Sequence, residues 1–437
     1  MKLQSINRYE AYKDSGVEGL GEVPAHWEVK RVKDELNSLD YKRIPLSGEI
    51  RGQMTGQNYD YYGASGVIDK VEDYIFDEPT ILIGEDGANL YSRSSPLAFI
   101  ATGKYWVNNH AHILKPRKGE IRFFCYLLEA FDYTTLISGS AQPKLTAGQL
   151  NRILLMVPSL PEQTDIAVYL DTKTALIDRQ IDLLNQKAAQ YGKLKQSLIN
   201  ETVTRGLDKA VAMKDSGVEW IGDVPTHWEL KRIKDTTYVK GRIGWQGLRN
   251  EDFLVNGSYY CVTGTDLKQG NIDWSNCYFV DEERYKQDTY IQLKIDDILI
   301  TKDGTIGKVA IVKNIPLPAT LNSGVFVTRP LNNSYVTKFM YWVLNSYQFT
   351  AYIDLTKGGS TIQHLYQNVF NRFIFTSPSL LEQQAIANYL DEKTAQIDRI
   401  VATINSQIDK LKELRKTLIN DIVTGKICVC KPEPRHE

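Results

Sequence analysis

Long apolar runs are missing from this chain. No stretch reaches the ~18–20 consecutive apolar residues of a membrane span, so no transmembrane helix is expected. The N-terminus, Met1 to Glu10, lacks the apolar core of a signal peptide. Cysteine is sparse. Cys125, Cys261, Cys277, Cys428 and Cys430 form no CxxC pairs, which argues against a zinc site or a disulfide framework and fits a reduced, cytoplasmic setting. A surplus of either charge is missing too: 52 Lys and Arg stand against 53 Asp and Glu, a net charge of −1. A chain that coats phosphate backbone unaided would be basic, so any nucleic-acid role rests on local patches or on partners.

Catalytic signatures are also lacking. There is no GxxxxGK[ST] phosphate loop; Gly304 to Lys308 has the wrong spacing, and Val309 stands where a metal-binding hydroxyl would be needed. Gly241, Gly244 and Gly247 do not make a GxGxxG. No Asn/Asp-Pro-Pro-Tyr/Phe run of amino-methyltransferases occurs, and no Ser/His/Asp or Cys/His set stands out. What remains is 437 residues of ordinary globular composition, 42% hydrophobic and 24% charged, enough for two or three domains.

The stretch Glu162 to Thr204 has no proline and one glycine, Gly192. Leu170, Ile177, Leu184, Tyr191 and Leu198 recur every seven residues, with Ile181 and Ala188 four positions after Ile177 and Leu184. This stripe predicts one long amphipathic helix with a coiled-coil seam, roughly 60 Å long at 1.5 Å per residue. Residues 382–424 repeat it at an offset of 220, with Leu390, Ile397, Ile404, Leu411 and Leu418 in the matching row and Val401 and Ile408 beside it. Pro158-Ser159-Leu160, Glu162-Gln163, Tyr169-Leu170-Asp171 and Ile177-Asp178-Arg179 all recur in the second copy. Two equal stripes in one polypeptide predict an intramolecular pair; the alternative is two separate helices, each packed on its own domain.

A second repeat frames the first. Lys13 to Asp34 and Lys214 to Asp235 are identical at 16 of 22 positions. They share Lys-Asp-Ser-Gly-Val-Glu, then His-Trp-Glu at 26–28 and 227–229, then Lys30-Arg31 and Lys231-Arg232. The unit is a lead-in motif, a variable domain and a long helix, used twice. In the variable domains Ile81–Ile83 runs into Asp86-Gly87, and Ile298–Ile300 into Asp303-Gly304, each reading as strand then turn. Aromatic-rich runs near 122–129 and 338–345 predict helices. Small polar loops follow at 138–144 and 357–364. The class expected is α+β.

The resulting division is 1–157 for the first lead-in and domain, 158–205 for the central helix, and 206–377 for the second lead-in and domain. Residues 378–427 form the distal helix and 428–437 a tail. Asp14 with Glu28-x-Lys30, and Asp215 with Glu229-x-Lys231, imitate the acidic layout of metal-dependent nucleases. The plainer reading is a structural segment in which Trp27 and Trp228 pack, His26 and His227 pack beside them, and the charges face water.

The lead-in motif, two diverged domains and two Pro-Ser-Leu…Glu-Gln…Tyr-Leu-Asp…Lys-Thr-Ala…Ile-Asp helices together resemble the specificity subunit of type I restriction-modification systems. Tyr62 to Gly66, Ile81 to Gly87 with Asn109-His110-Ala111-His112, and Asp303 to Lys308 are similar to its target-recognition sequences. The resemblance implies two target recognition domains separated by a long antiparallel two-helix coiled coil, in a pseudo-twofold internal repeat. Each domain would read one half of a split double-stranded DNA site. The helices would set the separation and dock two methyltransferase subunits, with restriction subunits joining. S-adenosylmethionine, ATP and Mg²⁺ would act in those partners, and the chain itself would be non-catalytic. Twofold readers commonly place half-sites about one DNA turn, ~34 Å, apart.

Base edges are read by Arg, Lys, Asn, Gln and Ser/Thr on projecting loops. The candidates are Arg51, Gln53, Ser140, Gln142 and Lys144 in the first domain, and Lys240, Arg242, Gln246, Ser360, Thr361, Gln363 and His364 in the second. Two other readings stay open: a coiled-coil scaffold that reads no sequence, and a nuclease using the Glu-x-Lys repeats.

Overall fold

The computed structural model describes residues 8–17, 21–139, 143–243, 247–356 and 364–429. Two compact units form: residues 1–185 with 405–437, and residues 186–404.

Both units use one sheet plan. In the first, an antiparallel sheet runs in the order Leu36–Ser38, Ala111–Pro116, Thr80–Gly84, Ala98–Ala101. In the second, the order is Thr237–Gly241, Val325–Pro330, Ile298–Thr301, Val309–Ile311. The inner strands Thr80–Gly84 and Ile298–Thr301 are buried along their whole length. Their unbroken apolar runs follow from being covered on both faces. A second sheet in each unit contains one parallel pair: Tyr59–Gly63 with Lys104–Val107, and Tyr259–Val262 with Ala319–Leu321. The central strands turn at Gly87 and Gly304, with φ of 97° and 65°, a region glycine enters without steric cost.

The aromatic-rich runs are helices, Ile121–Ala130 and Thr337–Leu344. Phe123, Phe124, Leu127 and Leu128 fall on one face of the former and are buried. Each variable domain is closed by a strand that returns to the lead-in motif. Leu154–Val157 pairs with Glu28–Arg31, and Ile374–Ser377 with Glu229–Arg232. The sequence reading did not anticipate this closure.

The long helices span Leu160–Arg205 and Leu380–Val423. Within the first unit Arg415 pairs with Asp178 at 3.0 Å. Within the second, Lys195 pairs with Asp398 at 2.7 Å. Within the first unit the partner falls from Ile419 to Arg415 as the helix rises from Leu170 to Asp178; within the second it falls from Asp398 to Leu390 as the helix rises from Lys195 to Ile199, so the helices form an antiparallel two-helix coiled coil. Burial follows the heptad. In the first unit Leu170, Thr174, Ile177, Ile181 and Leu184, with Ile408, Leu411, Arg415 and Leu418, are buried or half-buried among exposed neighbours. In the second unit the same holds for Ala188, Tyr191, Lys195 and Leu198, with Leu390, Thr394, Ile397, Val401 and Ile404.

Both helix ends also serve as core. In the first unit Ile166, Ala167 and Leu170 pack with Trp27, and so do Ile419, Ile422 and Val423 from the end of the other helix. In the second unit Ile386, Ala387 and Leu390 pack with Trp228, joined by Ile199 and Val203. The seam and the domain-packed readings are therefore both partly right: the middle of each helix pairs, and its ends pack on domains. Burial of Ile419, Ile422 and Val423 contributes about 1.5–3 kcal/mol each, against roughly 0–1 kcal/mol for a half-exposed ion pair such as Asp178–Arg415. Side-chain burial, not ion pairing, holds these ends.

Candidate nucleic-acid interface

The repeated motifs form a clamp between each domain and its helix. Trp27 Nε1 donates to Glu162 Oε1 at 3.0 Å, and His26 Nε2 lies 2.9 Å from Glu162 Oε2. The second copy repeats both contacts at 3.1 Å, with Trp228, His227 and Glu382. The adjacent Gln163 donates to the Pro158 carbonyl and accepts from the Glu120 amide. Gln383 does the same with Pro378 and the Val336 amide. About two turns on, Asp171 accepts from Arg122 and Tyr126, and Asp391 from Lys338 and Trp342. His26 and His227 are half exposed beside their glutamates; the His227 ring lies edge-on to Trp228 at 6.4 Å, and the His26 ring tilts against Tyr9 at 5.5 Å.

The nuclease-like carboxylates are occupied locally. Asp14 and Asp215 accept from the amides of Gly16 and Gly217, forming turns. Glu28 pairs with Lys30, and Glu229 with Lys231.

At the end of each central strand the two domains build the same backbone frame. Asp86 bridges to Lys144, and Leu145 N donates to Glu85 O at 2.8 Å. Asp303 bridges to His364, and Leu365 N donates to Lys302 O at 2.8 Å. The side chains at equivalent positions differ in charge: Glu85 stands in one domain where Lys302 stands in the other.

In the first domain a charged network surrounds Glu85. Arg43 Nη1 donates to Glu85 Oε2 at 2.6 Å, and Lys144 Nζ lies 3.1 Å from Oε1. Burial opposes ionisation of Glu85, but Arg43, His112 and Lys144 outweigh it and hold its pKa below the ordinary value. His112 is 1% exposed, with Nδ1 2.6 Å from Asp40 Oδ2 and Nε2 2.8 Å from the Leu145 carbonyl. Burial disfavours the imidazolium, yet Asp40, the carbonyl and Glu85 together raise its pKa above the ordinary value. Two acceptors on two ring nitrogens require a proton on both. In the second domain Lys302 lies over the Phe326 ring, and burial lowers its pKa.

The candidate readers fall out unevenly. Gln53 is exposed at the end of the helix Gly48–Gln53. Lys144 lies at the loop frame, half exposed and paired with Glu85. His364 bonds Asp303 and tilts against Tyr366. Lys240 lies over Tyr290. Arg51 pairs with Asp69 at 2.7 Å and stacks on Tyr61, so it braces a loop. Arg242 is a correction. It is 2% exposed, donating to the carbonyl of Leu321 at 2.8 Å and to Gln287 and Thr320, so it supports the fold from inside. Ser140, Gln142, Gln246, Ser360, Thr361 and Gln363 lie outside the described residues. Arg43, Glu85 and Lys302 escaped the sequence reading. The alignment of Ile81–Asp86 with Ile298–Asp303 could have exposed the Glu85/Lys302 contrast.

Comparison with known proteins fits this geometry. The family model described as the type I restriction modification DNA specificity domain matches twice, at residues 24–190 and 225–410. A Haemophilus influenzae protein named as type I restriction enzyme specificity subunit S.HindORF215P is 29% identical, over 84% of this chain and 87% of its own length. The MjaVIII specificity subunit of Methanocaldococcus jannaschii is 23% identical, over 93% and 94%. A chain from a solved type I R-M system structure superimposes with a TM-score of 0.68 at 14% identity, covering 92% of this chain and 98% of that one. The HsdS subunit from Thermoanaerobacter tengcongensis does so with a TM-score of 0.50 at 15% identity, covering 94% and 100%. With one such domain in each copy of its repeat, this chain belongs to the type I restriction-modification DNA specificity family.

Proposed function

We infer that the chain is the non-catalytic DNA specificity subunit of a type I restriction-modification complex, and that its two domains read two different half-sites. One observation carries this. The Asp86–Lys144 and Asp303–His364 frames are alike in backbone, yet carry Glu85 in one and Lys302 in the other. Glu85 is taken up by Arg43 and Lys144, whereas Lys302 is in no ion pair among the described residues, so equal frames carry different free charge, which suits unequal base sequences. The complex brings this chain together with methyltransferase and restriction subunits and DNA.

The finer reading is that the coiled coil sets the half-site spacing and docks two methyltransferase subunits. Leu176, Leu183 and Leu194 support it: they are 57%, 54% and 53% exposed on a helix whose other apolar row is covered. S-adenosylmethionine, ATP and Mg²⁺ then serve the partner subunits.

The test is to exchange residues 24–157 for the matching domain of another specificity subunit and map methylated adenines in the host genome. One half-site should change and the other persist. A change in both, or in neither, contradicts the two-reader assignment. Absence of any sequence preference in the intact complex points instead to a scaffold.

A further inference from the structure

The reading loops differ between the domains, but a basic cluster beside them does not. In the second unit Arg232, Lys234, Asn368, Asn371 and Arg372 line one open cleft. The lead-in strand supplies Arg232, paired with Ile374 across the returning strand. Lys234 N donates to the Asn371 carbonyl at 3.1 Å, tying the two segments together. The first unit has Arg31, Lys33, Asn151 and Arg152 at the equivalent positions, with Arg31 paired to Leu154 in the same register. Arg117 joins them, its Nη2 donating to the Lys33 carbonyl at 3.3 Å.

The chemistry of the two clusters is alike. Arg31, Lys33 and Arg152 are exposed, as are Arg232, Lys234 and Arg372. Their neighbours Lys30 and Lys231 are neutralised by Glu28, Glu35 and Glu229. None of these six cations is in an ion pair among the described residues, and the only carboxylate next to either trio in sequence is the exposed Asp34 or Asp235. By contrast, Arg43, Lys144 and Arg51 near the reading loops are already paired. In an otherwise near-neutral chain these are local concentrations of uncommitted positive charge.

A short helix connects cleft and loop. His364 is followed by the helix Gln367–Phe370, which carries Asn368 and is followed by Asn371 and Arg372. Lys144 is followed by Ala147–Arg152, which ends in Asn151 and Arg152. Eight positions separate Lys144 from Arg152, and eight separate His364 from Arg372, so the connection between frame and cluster is equally short in both domains.

We propose that these twin clusters are sequence-independent phosphate clamps, each gripping the DNA backbone beside the half-site its own domain reads. This rests on the DNA-reading assignment above. Phosphate contacts fix register and orientation without carrying sequence information, so one solution serves both domains, and identity of the clamp amid divergence of the loops is the expected outcome.

The experiment uses the full chain assembled with its methyltransferase subunits, carrying Arg232→Ala, Lys234→Ala and Arg372→Ala together. Affinity is measured against salt on duplexes with and without the site mapped by methylation. Affinity should fall by the same factor on both duplexes. The log–log salt slope should become shallower by about 2–3, since each neutralised phosphate contributes roughly 0.9. Arg31→Ala, Lys33→Ala and Arg152→Ala should act alike. Because these side chains are exposed, thermal unfolding should stay unchanged, and Arg232→Lys with Arg372→Lys should retain most affinity. Unchanged DNA affinity with weakened methyltransferase binding overturns the proposal in favour of a protein-docking patch. A shift in the preferred base at one half-site overturns it in favour of base reading. If the unsubstituted complex shows no sequence preference, the reader assignment fails, while the uniform affinity loss still tests the clamp.

Discussion

Trp27 Nε1 donates to Glu162 Oε1 at 3.0 Å across 135 residues, and Trp228 does the same to Glu382 across 154. The bond ties the lead-in motif to the first turn of the long helix, so each domain is fixed to its helix through one carboxylate, buried at Glu162 and partly exposed at Glu382. Glu162 is 8% exposed. Glu162→Ala leaves the indole N–H without a partner, a loss of about 1–3 kcal/mol. Thermal unfolding should show it, with Glu162→Gln losing less because its carbonyl still accepts. Equal stability of the Ala and wild-type chains would show that the bond contributes nothing.

Two glycines should respond oppositely to alanine. Gly425 has φ +74°, and an added Cβ would stand 2.4 Å from Pro24 Cδ, so Gly425→Ala should detach the helix end from the first-unit core. Gly192 lies mid-helix with nothing within 4 Å of such a Cβ, and Gly192→Ala should stabilise by roughly 0.5–1 kcal/mol. Chemical denaturation of the two variants measures both signs; a stabilising Gly425→Ala would refute the packing.

Ile404 is 4% exposed in the second-unit seam. Ile404→Asp buries an unpaired carboxylate, costing several kcal/mol, and should abolish assembly with methyltransferase subunits before it alters base preference. Size-exclusion chromatography of the mixture reads this. Normal assembly would count against seam pairing at this position.

The His112–Asp40 pair makes first-unit stability pH-dependent. The folded pKa of His112 is raised above 6.5, so its contribution is fully present below about 6.5 and lost as pH rises through the higher folded value. Asp40 is lowered from 3.8, so its contribution is present above about 3.8 and lost as pH falls through the lower folded value. Unfolding followed from pH 5 to 9 should show stability falling on the alkaline side, and His112→Gln should flatten that limb. An unchanged slope in the variant would assign the effect elsewhere.

Much of this was legible in the residues themselves. A seven-residue apolar period cannot be satisfied by a lone helix, so Leu170 to Leu198 and Leu390 to Leu418 announced a pair. Identity at 16 of 22 lead-in positions announced a repeat. Ile81–Ile83 and Ile298–Ile300 read as buried strands because their apolar runs are unbroken, and a turn glycine follows each. These are local or periodic signals, set by spacing alone.

Long-range partners were not legible. Nothing near Glu162 shows that its carboxylate meets Trp27, and nothing near Arg242 shows that Leu321, Gln287 and Thr320 draw it inward. An arginine in a polar stretch looks the same whether it projects or is buried. Leu170 and Leu390 read as seam, yet they are domain core as well, because the folded chain brings Trp27 and Trp228 to them. Periodicity determined which elements form and that they occur twice. Only tertiary packing decided which polar groups are consumed internally and which, like Arg232 and Arg372, remain available, because that depends on acceptors supplied from distant sequence.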